Sequence, residues 1–199
     1  MFVGNLVSTI GVSMIWPFMM IYASERLHLP LAAVAGLMTV NSAFALAGTF
    51  LAGTLTDRVG RRGVMIVGLA LHGAVYVFLS FAQALWMFAL LMALSGLVSP
   101  VYRVGVDAMV ADLIPPLKRV DAYAVLRMGN NAGVAIGPSI GGFLATQSYS
   151  TIFYCAAAGL ALYSLLTLLF LKETIPARPE AGGGAEGRLG GYARVFRDR

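Results

Sequence analysis

The chain has 199 residues, of which 59% are hydrophobic and only 12% charged, with a mean hydropathy of +0.81. A water-soluble domain cannot hide that much apolar surface, so the solvent these residues specify is a bilayer. The net charge of +5 does not indicate nucleic acid, because the basic residues sit in short loops and a tail between long uncharged runs.

Six apolar stretches have spanning length, roughly 19–26 residues each against the ~20 that a bilayer needs. They fall at about Phe2–Tyr22, Leu31–Gly53, Val64–Ala82, Leu85–Ala108, Val120–Ala145 and Ser150–Leu171. Lipid offers no partner for backbone polar groups, so each is expected as a helix, and the fold class is an all-α membrane protein with six transmembrane helices. The first span lacks a preceding basic residue and is long for a signal-peptide core, which argues for a retained helix. Asn5 in this span and Asn41 in the second are candidate cavity groups.

The connection after the second span reads Gly53-Thr-Leu-Thr-Asp57-Arg58-Val-Gly60-Arg61-Arg62. Gly53 would let a neighbouring helix approach, and Gly60 would permit a tight turn between helices. Arg61 and Arg62 are multi-donor partners for carboxylates, and Asp57 is an acid that topology alone does not require. His72 in the third span is either a protonation site or a packed, hydrogen-bonded residue.

In the fourth span Ser99, Arg103 and Asp107 recur at four-residue spacing. Arg103 and Asp107 either neutralise each other within the helix or serve a substrate or gating role. The fifth span carries Arg127, Asn130 and Asn131 on one face, and Gly129, Gly133, Gly137 and Gly141 as a groove on another. Pro138 follows Gly137 and removes one helical hydrogen bond, and Gly142 completes the run. If the glycine face packs on protein, Arg127 and Asn131 would point toward a cavity.

Residues 172–199 change character, with glycines and prolines that suit a linker better than a core, and a basic, aromatic end. That end reads either as the approach to another span or as a basic tail. Eleven of the 14 Lys and Arg residues lie in the loops after spans two and four and in this tail, against Arg26 alone on the opposite side. Both termini are therefore expected in the cytoplasm, and the short loops suit a bacterial plasma (inner) membrane.

The loop Gly53–Arg62 matches G-x-L-x-D-R-x-G-R-R, and Gly133-Val-Ala-Ile-Gly137-Pro138-Ser-Ile-Gly141-Gly142 matches G-x-x-x-G-P-x-x-G-G. On these motifs the chain resembles the amino-terminal half of a major facilitator superfamily transporter, similar to bacterial proton-linked antiporters. The resemblance implies two inverted three-helix repeats, spans one to three and four to six. It implies a second, carboxy-terminal transporter half, from the same gene or a second chain, with a small-molecule substrate held between the halves. Spans one and four would line the path, with five packing at the interface. It further implies a cytoplasmic latch, in which Asp112 joins Asp57 and Arg61. One departure concerns coupling. The family's R-x-x-Q-G in span four reads Met92-Ala-Leu-Ser95-Gly96 here, so its arginine is missing unless Arg103 or Arg127 substitutes. Asp107 is then the best proton-carrying carboxylate in this half.

The function expected is proton-coupled efflux of a drug-like or metabolite molecule by alternating access. A sugar or organic-acid carrier of the same fold and a non-transporting truncated membrane protein are the alternatives. No cofactor or metal is expected, and no nucleophile–base pair or phosphate-binding loop points to an enzyme.

Overall fold

The computed structural model describes residues 1–171, apart from the side chains of residues 57–59. The expected linker, 172–199, lies outside the described residues. Six long helices follow one another: α1 (Phe2–Leu27), α2 (Leu31–Val59), α3 (Arg61–Phe81), α4 (Leu85–Leu113), α5 (Arg119–Ala145) and α6 (Tyr149–Phe170). The single turn of 3-10 helix at Pro116–Lys118 leads into α5. The helices outrun the apolar stretches at one end, because α2 and α4 carry their hydrogen-bonded ladders past Asp57 and Asp112 to Val59 and Leu113.

Five of the six are long and apolar enough to cross a membrane: α1, α2, α3, α4 and α6. The fifth helix has the length but not the hydropathy. The reason is in its composition. Arg127, Asn130, Asn131 and a column of glycines replace the leucines and valines of its neighbours.

Apart from α3 and α4, consecutive helices are not the main partners. The first helix packs on α5 and α6, the fourth packs on α2 and α3, and α3 meets α6. Each three-helix repeat thus lends its middle helix to the other repeat. Exchange of α1 with α4, α2 with α5 and α3 with α6 reproduces the same set of contacts, as a pseudo-two-fold relation requires. Both central helices carry a mid-helix proline, Pro17 in α1 and Pro100 in α4.

The core lies where α1, α3, α4 and α6 converge. Tyr22 packs against Phe88, Tyr149 and Phe153 with ring centroids 5.0–5.8 Å apart. Met65, Leu69, Met92, Met109 and Leu160 are buried below it. By contrast α2 and α5 are edge helices. Phe44, Leu46 and Phe50 on α2, and Val134, Ile136 and Phe143 on α5, are exposed on their outer faces. So much exposed aliphatic and aromatic surface marks a chain whose surroundings are lipid or further protein.

Candidate functional site

Three places in this bundle gather the residues that carry chemistry: the α2–α3 corner, the α1–α5 crossing and the polar face of α4 and α5.

At the corner one residue separates two long helices. Gly60 ends α2 and starts α3 with φ 105°, a region that residues with a Cβ rarely occupy. Arg61 and Arg62 therefore stand on the first turn of α3, where their charge opposes the helix dipole. Each is compensated from a helix that ends beside it. Arg61 forms an ion pair with Asp112 and donates from Nη1 to the Ala108 carbonyl at 3.2 Å, both near the end of α4. Arg62 donates from Nη2 to the Leu168 carbonyl in the last turn of α6. That carbonyl is one of the last four of α6, which helical geometry leaves without an intrahelical partner. Two adjacent arginines thus clip the start of α3 to the ends of α4 and α6. The Arg61–Asp112 contact of the expected latch is present, while the Asp57 and Arg58 side chains lie outside the described residues. Gly53 differs from expectation. A methyl placed on it would meet nothing within 4 Å among the described residues.

At the crossing, the glycine column of α5 lies on α1. Gly129 faces the Phe2 ring, and a methyl on Gly133 would sit 3.2 Å from the Ile10 amide nitrogen. On Gly137 it would fall 2.8 Å from the Ile10 carbonyl oxygen, and on Gly141 2.7 Å from the Met14 carbonyl oxygen. Backbone therefore meets backbone over about two turns, with Gly142 against Phe18 and Pro138 held inside an unbroken helix. A polar ladder on α1 answers the column. Asn5 Nδ2 donates to Asn130 Oδ1 at 2.7 Å, Thr9 donates to the same oxygen at 3.0 Å, and Ser13 donates to the Gly133 carbonyl at 2.8 Å.

The pseudo-symmetric crossing of α4 and α2 is built in the same way. Gly96 lies against the Asn41 backbone, Gly48 lies against Leu97, and Asn41 Nδ2 donates to the Met92 carbonyl at 2.9 Å. Asn41 is buried in this contact, so it is an interhelical donor and not the cavity group expected. The same holds for Asn5.

On the third face Arg103 and Asp107 of α4 and Arg127 and Asn131 of α5 are exposed. Asp107 does not close to an ion pair with Arg103, contrary to one expectation. The phenol of Tyr123 donates to the Asp107 backbone carbonyl at 2.8 Å and links the two helices. Asn130 does not share the outward face of Arg127 and Asn131, since it is turned into α1. His72 is buried between α3 and α4, with Nε2 3.0 Å from Ser95 Oγ and the ring 4.6 Å from that of Tyr76.

Sequence reasoning missed the α1 ladder, although Asn5, Thr9 and Ser13 recur at the same four-residue spacing as the glycines they meet. It also missed Gly48 and the α6 partner of Arg62, for which a single chain offers no local signal.

Residues 1–199 match the family model described as Major Facilitator Superfamily. The chain is 32% identical over 181 residues to an uncharacterized MFS-type transporter, YhjO, of Bacillus subtilis, covering 89% of this chain and 44% of that protein. It is 34% identical over 179 residues to the multidrug resistance protein MdtG of Enterobacter lignolyticus, covering 86% and 42%. The chain thus spans less than half the length of these curated relatives. A crystal structure of a POT family transporter in complex with 5-aminolevulinic acid superposes with a TM-score of 0.78 at 19% identity, covering 98% of this chain and 42% of that one. At that identity the likeness concerns the fold.

Proposed function

The chain belongs to the major facilitator superfamily, and from that premise we propose that it forms the amino-terminal half of a proton-coupled efflux transporter for small, drug-like or metabolite molecules. The observation that carries this reading is the seating of the Gly133–Gly141 column directly on the α1 backbone. Helices in contact through glycine and backbone pack closely, so α5 can shift along α1 once the hydrogen bonds of Asn5, Thr9 and Ser13 are exchanged. Pro138 loosens the ladder at the same level. The relative named for multidrug resistance supports the substrate class.

In this reading both termini are cytoplasmic, the membrane is a bacterial plasma membrane, and a carboxy-terminal half covers the exposed faces of α2 and α5. Gly53, where an added methyl would meet no described residue within 4 Å, would meet that half. Asp57, Arg58, Arg61, Arg62 and Asp112 would hold the cytoplasmic side closed, and release of that contact would open it. Arg103, Asp107, Arg127 and Asn131 would line the route, with Asp107 the proton-binding carboxylate of this half.

The test is drug accumulation in bacteria that express the complete protein. The proposal expects a fluorescent lipophilic substrate to be expelled, and a protonophore to stop the expulsion. Asp57→Asn and Asp112→Asn should each reduce it at least fivefold at equal membrane abundance. Undiminished efflux in both variants would remove the latch, and efflux that ignores the protonophore would remove the coupling.

A further inference from the structure

Three charged side chains stand well inside the helices on the face shared by α4 and α5: Arg103 and Asp107 on α4, and Arg127 on α5, all exposed. The bond from the Tyr123 hydroxyl to the Asp107 carbonyl fixes the register of these two antiparallel helices. Arg103 lies one turn from Asp107 along α4, and Arg127 lies one turn from Tyr123 along α5, so the three charges surround a single interhelical link. At 1.5 Å per residue, Arg103 is about 15 Å from the end of α4 and Arg127 about 12 Å from the start of α5. Charges at that depth are costly against lipid and belong on a route lined by protein or water.

The charges do not cancel. Neither Arg103 nor Arg127 forms an ion pair or a hydrogen bond with a described residue, and one carboxylate cannot neutralise two guanidinium groups. The corner arginines provide the contrast, since Arg61 is held by Asp112 and Arg62 by the Leu168 carbonyl. Arg103 has Asp107 at the four-residue spacing where helical ion pairs form, yet that pair stays open. Both planar forks, which match a carboxylate in shape, are therefore presented to the face.

The class of molecule such a face accepts follows from the signs. A cation drawn to Asp107 comes beside two like charges, and an anion drawn to the arginines competes with Asp107 for them. A molecule with both charges meets each group with its opposite. Arg103 and Asp107 are about 6 Å apart along α4, so the two charges of the guest are separated by about a helical turn. We propose that the α4–α5 face binds a zwitterionic substrate, its carboxylate on Arg103 and Arg127 and its ammonium on Asp107. This rests on the transport reading and names the substrate class of that route. It accords with exchange, because the ammonium and the proton occupy the same carboxylate in turn.

The experiment is isothermal titration calorimetry of the complete protein, purified in detergent at neutral pH, with three compounds built on one ring. They are para-aminomethylbenzoate, which carries both charges, its methyl ester, which keeps the ammonium alone, and its N-acetyl derivative, which keeps the carboxylate alone. The zwitterion should bind about tenfold more tightly than either analogue, as one charge-assisted contact provides. Arg103→Gln with Arg127→Gln should bring the zwitterion-to-ester ratio to about one, and Asp107→Asn should do the same for the zwitterion-to-acetyl ratio. If the paired variant does not accumulate, Arg103→Gln or Arg127→Gln alone should lower the first ratio by a few fold. Equal affinity for zwitterion and ester in the wild type overturns the proposal, as does binding of none of the three. A tenfold preference that survives the loss of both arginines overturns it too. Equal weakening of all three compounds in that variant identifies the arginines as a structural contact with the carboxy-terminal half and overturns the substrate assignment. The transport reading fails separately: the expected ratios, with no proton release when vesicles take up the zwitterion, refute the exchange and leave the site standing.

Discussion

Substitution of Gly137 by alanine tests the α1–α5 crossing most sharply. A mid-helix glycine costs about 1 kcal/mol relative to alanine, so propensity alone favours the change. The new methyl, however, would lie 2.8 Å from the Ile10 carbonyl oxygen and against the Ser13 hydroxymethyl group. The first obstacle is backbone and cannot rotate away, so the helices must separate. Overpacking of this kind costs about 2–3 kcal/mol, which leaves a net loss of about 1–2 kcal/mol. Gly63, where a methyl meets nothing within 4 Å, is the matched control and should be neutral or slightly stabilised as alanine. Thermal unfolding of the purified protein in detergent, read by intrinsic fluorescence, compares the two. Ser13→Gly should recover part of the Gly137→Ala loss, because it removes one of the two obstacles and leaves the other. If Gly137→Ala melts with or above Gly63→Ala, the close approach of α5 to α1 is wrong.

Three further outcomes follow from the same geometry. Asn130→Ala removes the acceptor for Asn5 and Thr9 and should cost about 1 kcal/mol in thermal unfolding, whereas exposed Asn131→Ala should cost nothing measurable. A double-mutant cycle of Arg61→Gln and Asp112→Asn should give a coupling of at most about 1 kcal/mol that shrinks in high salt, since both side chains keep some exposure, 13% and 27%. A fluorescent protein fused after Arg199 should light up in bacteria while a periplasm-dependent reporter at the same site stays silent, if the basic loops mark the cytoplasmic side.

Much of the fold was legible because lipid leaves few options. Length and hydropathy fixed the helices to within a few residues, except at the ends of α1, α2 and α4, where polar residues extend the ladders beyond the apolar stretch. The Gly60 turn and the glycine column of α5 were readable for a physical reason, since only glycine fits a positive φ or a backbone-to-backbone contact. Partner choice was not legible. Nothing local says that Asn41 bonds α4, that Asn130 rather than Asn131 turns inward, or that Arg62 reaches the end of α6. The first two follow from the exchange of middle helices between repeats and the third from the meeting of α3 with α6, all between faces 51 to 125 residues apart in the chain. The polar residues read as cavity groups therefore divided in two. Asn5 and Asn41 are interhelical donors, while Arg103, Asp107, Arg127 and Asn131 remain on an open face.

The central claim is that substrate movement through the complete protein is exchanged for protons. Inverted membrane vesicles, energised to an acidic interior and loaded with a pH-sensitive acridine dye, measure this directly. Addition of a lipophilic substrate should release protons and raise the dye fluorescence in vesicles bearing the wild-type protein, and Gly137→Val should abolish the response at equal abundance. Substrate uptake into the same vesicles without proton release would contradict the account.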